Sequence, residues 1–211
     1  ALRSSRSAEP SILSEVQKEG IRPDFVIIQE ENRVNIKVRQ NDGTTTEINS
    51  KGPLVTAKEL IEIYRKLDQI DDGDYLVMSG SVPPSIAHTI YADIMEYMSF
   101  KKIRVIVDSR NDLLKNSLAH HPFLIKPNLA ELAELFDFEL DAQGRMSEDN
   151  IRDCLNELID MGALNVLLSL GNAGAIFFST DRKLYYQAAP SGKVESTVGA
   201  GDSLIAGFLS V

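Results

Sequence analysis

The rhythm of hydrophobic and polar positions changes once along this chain, near Pro53. Before it, Val34, Ile36 and Val38 alternate with Arg33, Asn35 and Lys37, the period of a strand with one apolar and one polar face. DFVII precedes this run, and TTTEIN follows it across Asn41-Asp42-Gly43, a step that favours a hairpin turn. These segments predict a small β-sheet within residues 22–52, too thin to bury its own apolar face. Residues 1–10 have no period and read as a tag, a junction or a disordered end. Ile12, Leu13 and Val16 before Gly20 predict a short helix, so residues 1–21 read as a tag or junction plus a partial helix.

After Pro53 helical and strand patterns alternate. Helices are expected at 56–67, 84–100, 113–119, 129–136 and 148–161, with a last one from Gly201. Between them lie YLVMSG, IRVIVD, FLIKPN, VLLSL, AIFFS and KLYYQ, short apolar runs of strand length. Such runs separated by amphipathic helices predict an α/β domain over 53–211, with a mainly parallel sheet flanked by helices on both faces. The β-sheet of 22–52 is its small appendage.

Composition narrows the function. The chain has 211 residues, enough for a stable core, with 43% hydrophobic and 25% charged residues. A net charge of −9 argues against nucleic acid as a partner, because phosphate-backbone binding needs a concentrated basic surface. No apolar run approaches the length of a bilayer span, and ALRSSRSAEP leads into no signal-like core, so no membrane partner is expected. The single cysteine, Cys154, sits in the apolar-periodic run IRDCLNELI, reads as packing, and fits a reducing cytoplasm. His88, His120 and His121 lack metal-ligand spacing, and the His120–His121 pair reads as a solvated loop.

The chemistry falls at strand ends. SGSVPP, VDSR, KPNLAE and SLGNAG each begin where a predicted strand stops, the ligand-binding edge of an open parallel sheet. The densest signal is STVGAGDS at 196–203, running into LIAGFLS. Gly199, Ala200 and Gly201 allow tight turns that aim amides at the start of a helix, an anion nest. Asp202 in the first turn is either a cap or a base. Asn128 and Glu131, at i and i+3 opening a helix, form either a capping box or a pair able to hold Mg²⁺ through water. The P-loop pattern is absent.

These segments, in this order, resemble the PfkB group of carbohydrate kinases, within the ribokinase-like superfamily. NRVNIKV, GTTTEINSKGP, LVMSGSVPP, LIKPNLAEL, LLSLGNAGA and STVGAGDS carry the likeness, which runs from about Ile21 to Val211. It implies a ribokinase-like fold in which the sheet of 22–52 is a lid, and an ATP- and Mg²⁺-dependent kinase. Asp202 is then the catalytic base, and Gly199, Ala200 and Gly201 form the anion hole. Lys126, Asn128, Thr197 and the loop Ser169-Leu170-Gly171-Asn172-Ala173-Gly174 serve the nucleotide. Asn128 and Glu131 serve the metal. Arg33, Asn35, Lys37, Gly80 and Ser81 meet the sugar phosphate; arginine suits a phosphate through paired, charge-assisted bonds.

Within the family the pattern is most similar to 1-phosphofructokinases, with tagatose-6-phosphate kinases next. The implied reaction is phosphoryl transfer from ATP to the 6-hydroxyl of fructose 1-phosphate. A non-catalytic binder of sugar phosphates or nucleotides on the same fold is the reading from another class. The family's first strand with its Asp, and its GGKG-x-N segment, are not found before Ile12, and relatives continue beyond the helix of Asp202. The expectation is thus a chain truncated at both ends. The apolar side of the lid, with Val34, Ile36 and Val38, predicts a homodimer formed through it.

Overall fold

The computed structural model describes residues 2–4, 11–40, 45–192, 194 and 197–210. It divides into two compact units, one of residues 1–70 with 82–87, the other of 71–81 with 88–211.

The first unit opens with β1 (Leu2–Ser4), α1 (Ser11–Lys18) and β2 (Val26–Ile28). β1 and β2 pair in parallel, Leu2 opposite Val26. This corrects the reading of the first ten residues as a tag or disordered end: three of them form a strand, while 5–10 lie outside the described residues. β3 (Asn35–Arg39) and β4 (Thr45–Asn49) form a separate antiparallel hairpin, with Ile36 opposite Ile48. The Asn41-Asp42-Gly43 turn lies outside the described residues. The expected three-segment sheet is thus two two-stranded sheets, because β2 takes β1 and not β3 as its partner. Buried Val26 and Ile28 flank exposed Ile27, and α2 (Ala57–Leu67) packs on β2. Thr56 caps α2 through a reciprocal box with Glu59, and Lys66 pairs with Asp24. The apolar side of the hairpin stays open, with Val34, Ile36, Val38 and Ile48 all exposed.

The second unit runs β5 (Tyr75–Ser79), α3 (Ile90–Tyr97), β6 (Arg104–Asp108), α4 (Asn111–Leu118), β7 (Leu124–Ile125), α5 (Leu129–Leu135), α6 (Glu148–Asp160), β8 (Asn165–Ser169), β9 (Ala175–Ser179), β10 (Leu184–Gln187) and α7 (Ala200–Leu209). The helix expected from Pro84 begins only at Ile90, since residues 83–86 close a turn. The sheet order is β10-β9-β8-β7-β6-β5, parallel from β5 to β8 and antiparallel beyond. The switch has a simple cause: only a short turn joins β8 to β9, and a parallel return needs a crossover.

Alternation in the central strands separates two covered faces. Ile106, Leu124 and Leu167 gather with Ile205 of α7, flanked by Phe177 and Phe208. Val107, Ile125, Val166 and Leu168 are fully buried, and Leu155 and Leu158 of α6 have no exposure. Cys154 is buried among them; burial, helped by the Asp153 charge, pushes its thiol up to about 11, the behaviour of a packing residue. His121 is exposed, as the solvated reading expects, and its ring nitrogen also sits 3.1 Å from the Gly162 carbonyl. No helix among the described residues is long and apolar enough to cross a membrane.

Candidate active site

Parallel strands place their ends together. Ser79, Asp108, Ile125 and Ser169 close β5, β6, β7 and β8, so the residues that follow each share one edge of the sheet. Gly80 and Ser81 follow β5, Ser109 follows β6, Lys126 follows β7, and Leu170 to Gly174 follow β8. Asn128 is joined to Ser169 by an isolated parallel bridge, and the Ser169 N–H donates to the Pro127 carbonyl at 3.0 Å.

Lys126 is the centre of this edge. It is only 6% exposed, and its Nζ lies 3.0 Å from Asp108 Oδ1. A buried ammonium is costly without such a counter-ion. Asp108 Oδ2 also accepts from the Ser79 hydroxyl at 3.4 Å. The same lysine lies against the start of α7: a Cβ added at Gly201 would fall 3.1 Å from Lys126 Nζ.

The turn into α7 carries no side-chain cap on its N-cap residue, Gly199, which sits in the left-handed region at φ 76°. The Gly199 carbonyl accepts from the Ser203 N–H at 2.9 Å, and the Thr197 carbonyl from the Ala200 N–H at 3.3 Å. The first amides of such a helix, those of Gly201 and Asp202 among them, have no acceptor within the helix itself. Two sources of positive potential, an ammonium and a helix N-terminus, converge there. Asp202 stands exposed in the first turn beside them. Ser196, which opens the signature, lies outside the described residues.

The Asn128–Glu131 pair is a capping box. The Glu131 N–H donates to Asn128 Oδ1 and the Asn128 N–H to Glu131 Oε2, each at 2.9 Å. Of the two readings open at these positions, the helix-start role is realised in the fold. Among the described residues no three His, Cys, Asp or Glu side chains gather into a metal cage.

The Ser169–Gly174 loop turns through a short 3₁₀ segment at Gly171–Ala173, closed by the Leu170 N–H on the Gly174 carbonyl at 2.8 Å. Tyr186 from β10 braces it, donating to the Ala173 carbonyl at 2.7 Å. Thr197 lies exposed two residues before Gly199.

Arg33, Asn35 and Lys37 belong to the first unit, on or just before β3. Ser50 fixes this end of the hairpin: its hydroxyl accepts from the Val34 N–H at 2.9 Å, and its N–H donates to the Val34 carbonyl at 3.1 Å. Gly52 lies against the Arg33 side chain.

Reading the sequence missed several residues of this edge. VDSR stood out only as a strand end, yet Asp108 holds Lys126 and Ser109 bonds the Gly80 carbonyl. A carboxylate closing the buried run VIV was the available signal. Tyr91, which bonds the same carbonyl, had none, because an aromatic in a helical apolar pattern reads as core.

Comparison with known proteins covers these segments together. The pfkB family carbohydrate kinase profile matches residues 7–211. The chain is 36% identical over 198 residues to the D-tagatose-1-phosphate kinase of Bacillus licheniformis, spanning 94% of this chain and 63% of that protein. It is 35% identical over 190 residues to the 1-phosphofructokinase of Borreliella burgdorferi, spanning 90% and 60% respectively. The phosphofructokinase-2 from Escherichia coli in complex with substrates and products aligns with a TM-score of 0.84 at 28% identity, over 97% of this chain and 65% of that one. The chain thus spans about three fifths of the length of these curated relatives. A profile that runs unbroken through every strand end around Lys126 leaves one assignment: the chain belongs to the pfkB family of carbohydrate kinases.

Proposed function

We propose that the chain carries the phosphoryl-transfer site of an ATP-dependent sugar-phosphate kinase, acting on the 6-hydroxyl of fructose 1-phosphate to give fructose 1,6-bisphosphate. The observation that carries this reading is the buried Lys126 ammonium set against the uncapped first turn of α7. A cation and free helix amides stabilise charge on a transferring phosphoryl group, and such stabilisation usually contributes more to the rate than any other single effect. Asp202, one residue beyond the amide of Gly201, is suited to take the proton of the attacking hydroxyl. Lys126 and the Gly199–Gly201 turn hold the phosphate end of ATP, while Asn128, Thr197 and the Ser169–Gly174 loop contact the rest of the nucleotide.

The residues also fit magnesium in its usual manner, with one or two carboxylates, water and substrate phosphates as ligands. Glu131 keeps its other carboxylate oxygen for that purpose, with Asn128 beside it. When bound, the ion neutralises charge on the phosphate oxygens.

Arg33, Asn35 and Lys37 on the hairpin, with Gly80 and Ser81, receive the sugar phosphate, and the hairpin acts as a lid. Its open apolar side pairs with a second copy of the chain. The acceptor is chosen from the relatives' names, which share a ketose carrying its phosphate at C1. The 36% identity to a D-tagatose-1-phosphate kinase favours tagatose 1-phosphate as the second reading, in place of the 6-phosphate expected from the motifs. A single buried cysteine suits a cytoplasmic setting.

The test is ADP release by the full-length protein with fructose 1-phosphate, tagatose 1-phosphate and tagatose 6-phosphate in turn, for the parent and Asp202→Asn. Fructose 1-phosphate is expected to give the highest kcat/KM, and the variant to lose about 10²–10⁴ in turnover with nucleotide affinity nearly kept. Preference for a tagatose phosphate overturns the substrate. Near-normal turnover in Asp202→Asn removes the base.

A further inference from the structure

Gly80 is where β5 ends and the SGSVPP segment begins, and its backbone is fixed at both polar groups. Its N–H donates to the Asp108 carbonyl at 2.9 Å. Its carbonyl accepts from the Tyr91 hydroxyl and from the Ser109 hydroxyl, each at 3.1 Å. Both donors are buried, Tyr91 at 7% and Ser109 at 9% exposure, and they arrive from different elements, α3 and the end of β6. A carbonyl has two lone pairs, so this one is saturated.

Such a clamp has a geometric consequence. Gly80 takes φ 89°, outside the strand region, so the sheet ladder does not dictate the direction of the next peptide. That peptide is trans and planar; drawing its carbonyl toward Tyr91 and Ser109 turns the Ser81 N–H the opposite way. The point from which the Ser81 side chain departs is set by the same plane. Burial, helped by the Asp108 charge, pushes the Tyr91 phenol up to about 12, so it remains a donor across the range in which a kinase works.

We propose that Tyr91 and Ser109 are positioning residues for the acceptor sugar phosphate, acting through the Gly80–Ser81 peptide that they orient. The proposal rests on the reading of Gly80 and Ser81 as part of the acceptor site. Neither hydroxyl touches substrate; each decides how a residue that does is presented.

The test uses the full-length protein with its preferred sugar phosphate. Tyr91→Phe and Ser109→Ala each delete one hydroxyl and keep the packing, whereas Ser109→Thr keeps the hydroxyl. Each deletion is expected to raise the sugar-phosphate KM several-fold and the double variant about tenfold or more, with the KM for ATP within about twofold. Ser109→Thr is expected to stay near the parent. A merely structural role would instead lower the melting temperature and leave that split absent. An unmoved sugar KM in the double variant overturns the proposal, as does an equal rise for both substrates or a defect that Ser109→Thr shares. Ser81→Ala, measured beside them, separates two failures. A raised sugar KM there with an unmoved double variant sinks the clamp alone; no change in either sinks the acceptor assignment as well.

Discussion

Val34, Ile36 and Val38 of the hairpin region and Val105 and Val107 of β6 each occupy every second position of an extended run, yet their fates differ. The first three keep 60%, 49% and 46% exposure, while the β6 pair keep 8% and 0%. β6 has a strand on each side and α4 packed on it, whereas among the described residues the sheet of β3 holds only β4 besides. Alternation therefore says which residues share a face, and only the layers around a strand decide whether that face is covered. In the sheet of the second unit the apolar positions of the central strands are buried and hold the strand ends in one fixed edge. In the hairpin region the apolar residues Val34, Ile36, Val38 and Ile48 are left exposed.

The sharpest way to break this division is to damage each side and ask which substrate notices. Gly201→Val sets a side chain 3.1 Å from Lys126 Nζ and is expected to cost about 10²-fold or more in turnover with every sugar, on the scale of losing an oxyanion donor. If Arg33 holds the sugar phosphate, Arg33→Ala is expected to raise the sugar-phosphate KM by tens-fold. The KM for ATP should stay within a few-fold. Steady-state kinetics with each substrate varied in turn decides; an unchanged sugar KM in Arg33→Ala reduces the hairpin to a cover.

A smaller effect is expected from Ile36→Ser. The side chain is half exposed and cross-paired with Ile48, so the melting temperature of the chain should barely move. If the open face joins two copies, the dimer dissociation constant should rise about tenfold by sedimentation or light scattering. A parent protein that stays monomeric at high micromolar concentration removes the pairing.

The last expected effect belongs to the second unit and appears only at alkaline pH. Tyr91 is held at about 12 in the folded chain, above the ordinary tyrosine value of 10.0. Between these two values the unfolded chain has released a proton that the folded chain keeps, so stability falls as pH rises through this window and is fully present below it. Denaturant titrations should show a steeper decline between pH 10 and 12 for the parent than for Tyr91→Phe. Parallel curves would mean that burial does not hold the phenol.

Much of this molecule is legible in its sequence, and what is not has a physical reason. The strand ends at Gly80, Lys126 and Ser169 and the turn before α7 announce themselves, because glycine, proline and polar residues interrupt apolar runs there. The pairing of β2 with β1 does not, since a strand edge offers the same amides and carbonyls to any partner. The Asp108–Lys126 pair is likewise hidden, because two strand ends become neighbours only once β6 and β7 lie side by side. Tyr91 is the extreme case: its ring satisfies the apolar pattern and its hydroxyl leaves no trace in it. Asn128 and Glu131 show the reverse, a local box readable from spacing alone.

Gly199 and Gly201 look interchangeable in the signature, but substitution would fail at each for an unrelated reason. A methyl at 199 would meet none of the described residues within 4 Å, yet its backbone sits at φ 76°, where an L stereocentre resists by about 1–2 kcal/mol. At 201 the helix asks for ordinary handedness, and what runs short is room beside Lys126. One glycine is thus guarded by chirality and the other by crowding, so a variant that survives at one position says nothing about tolerance at the other.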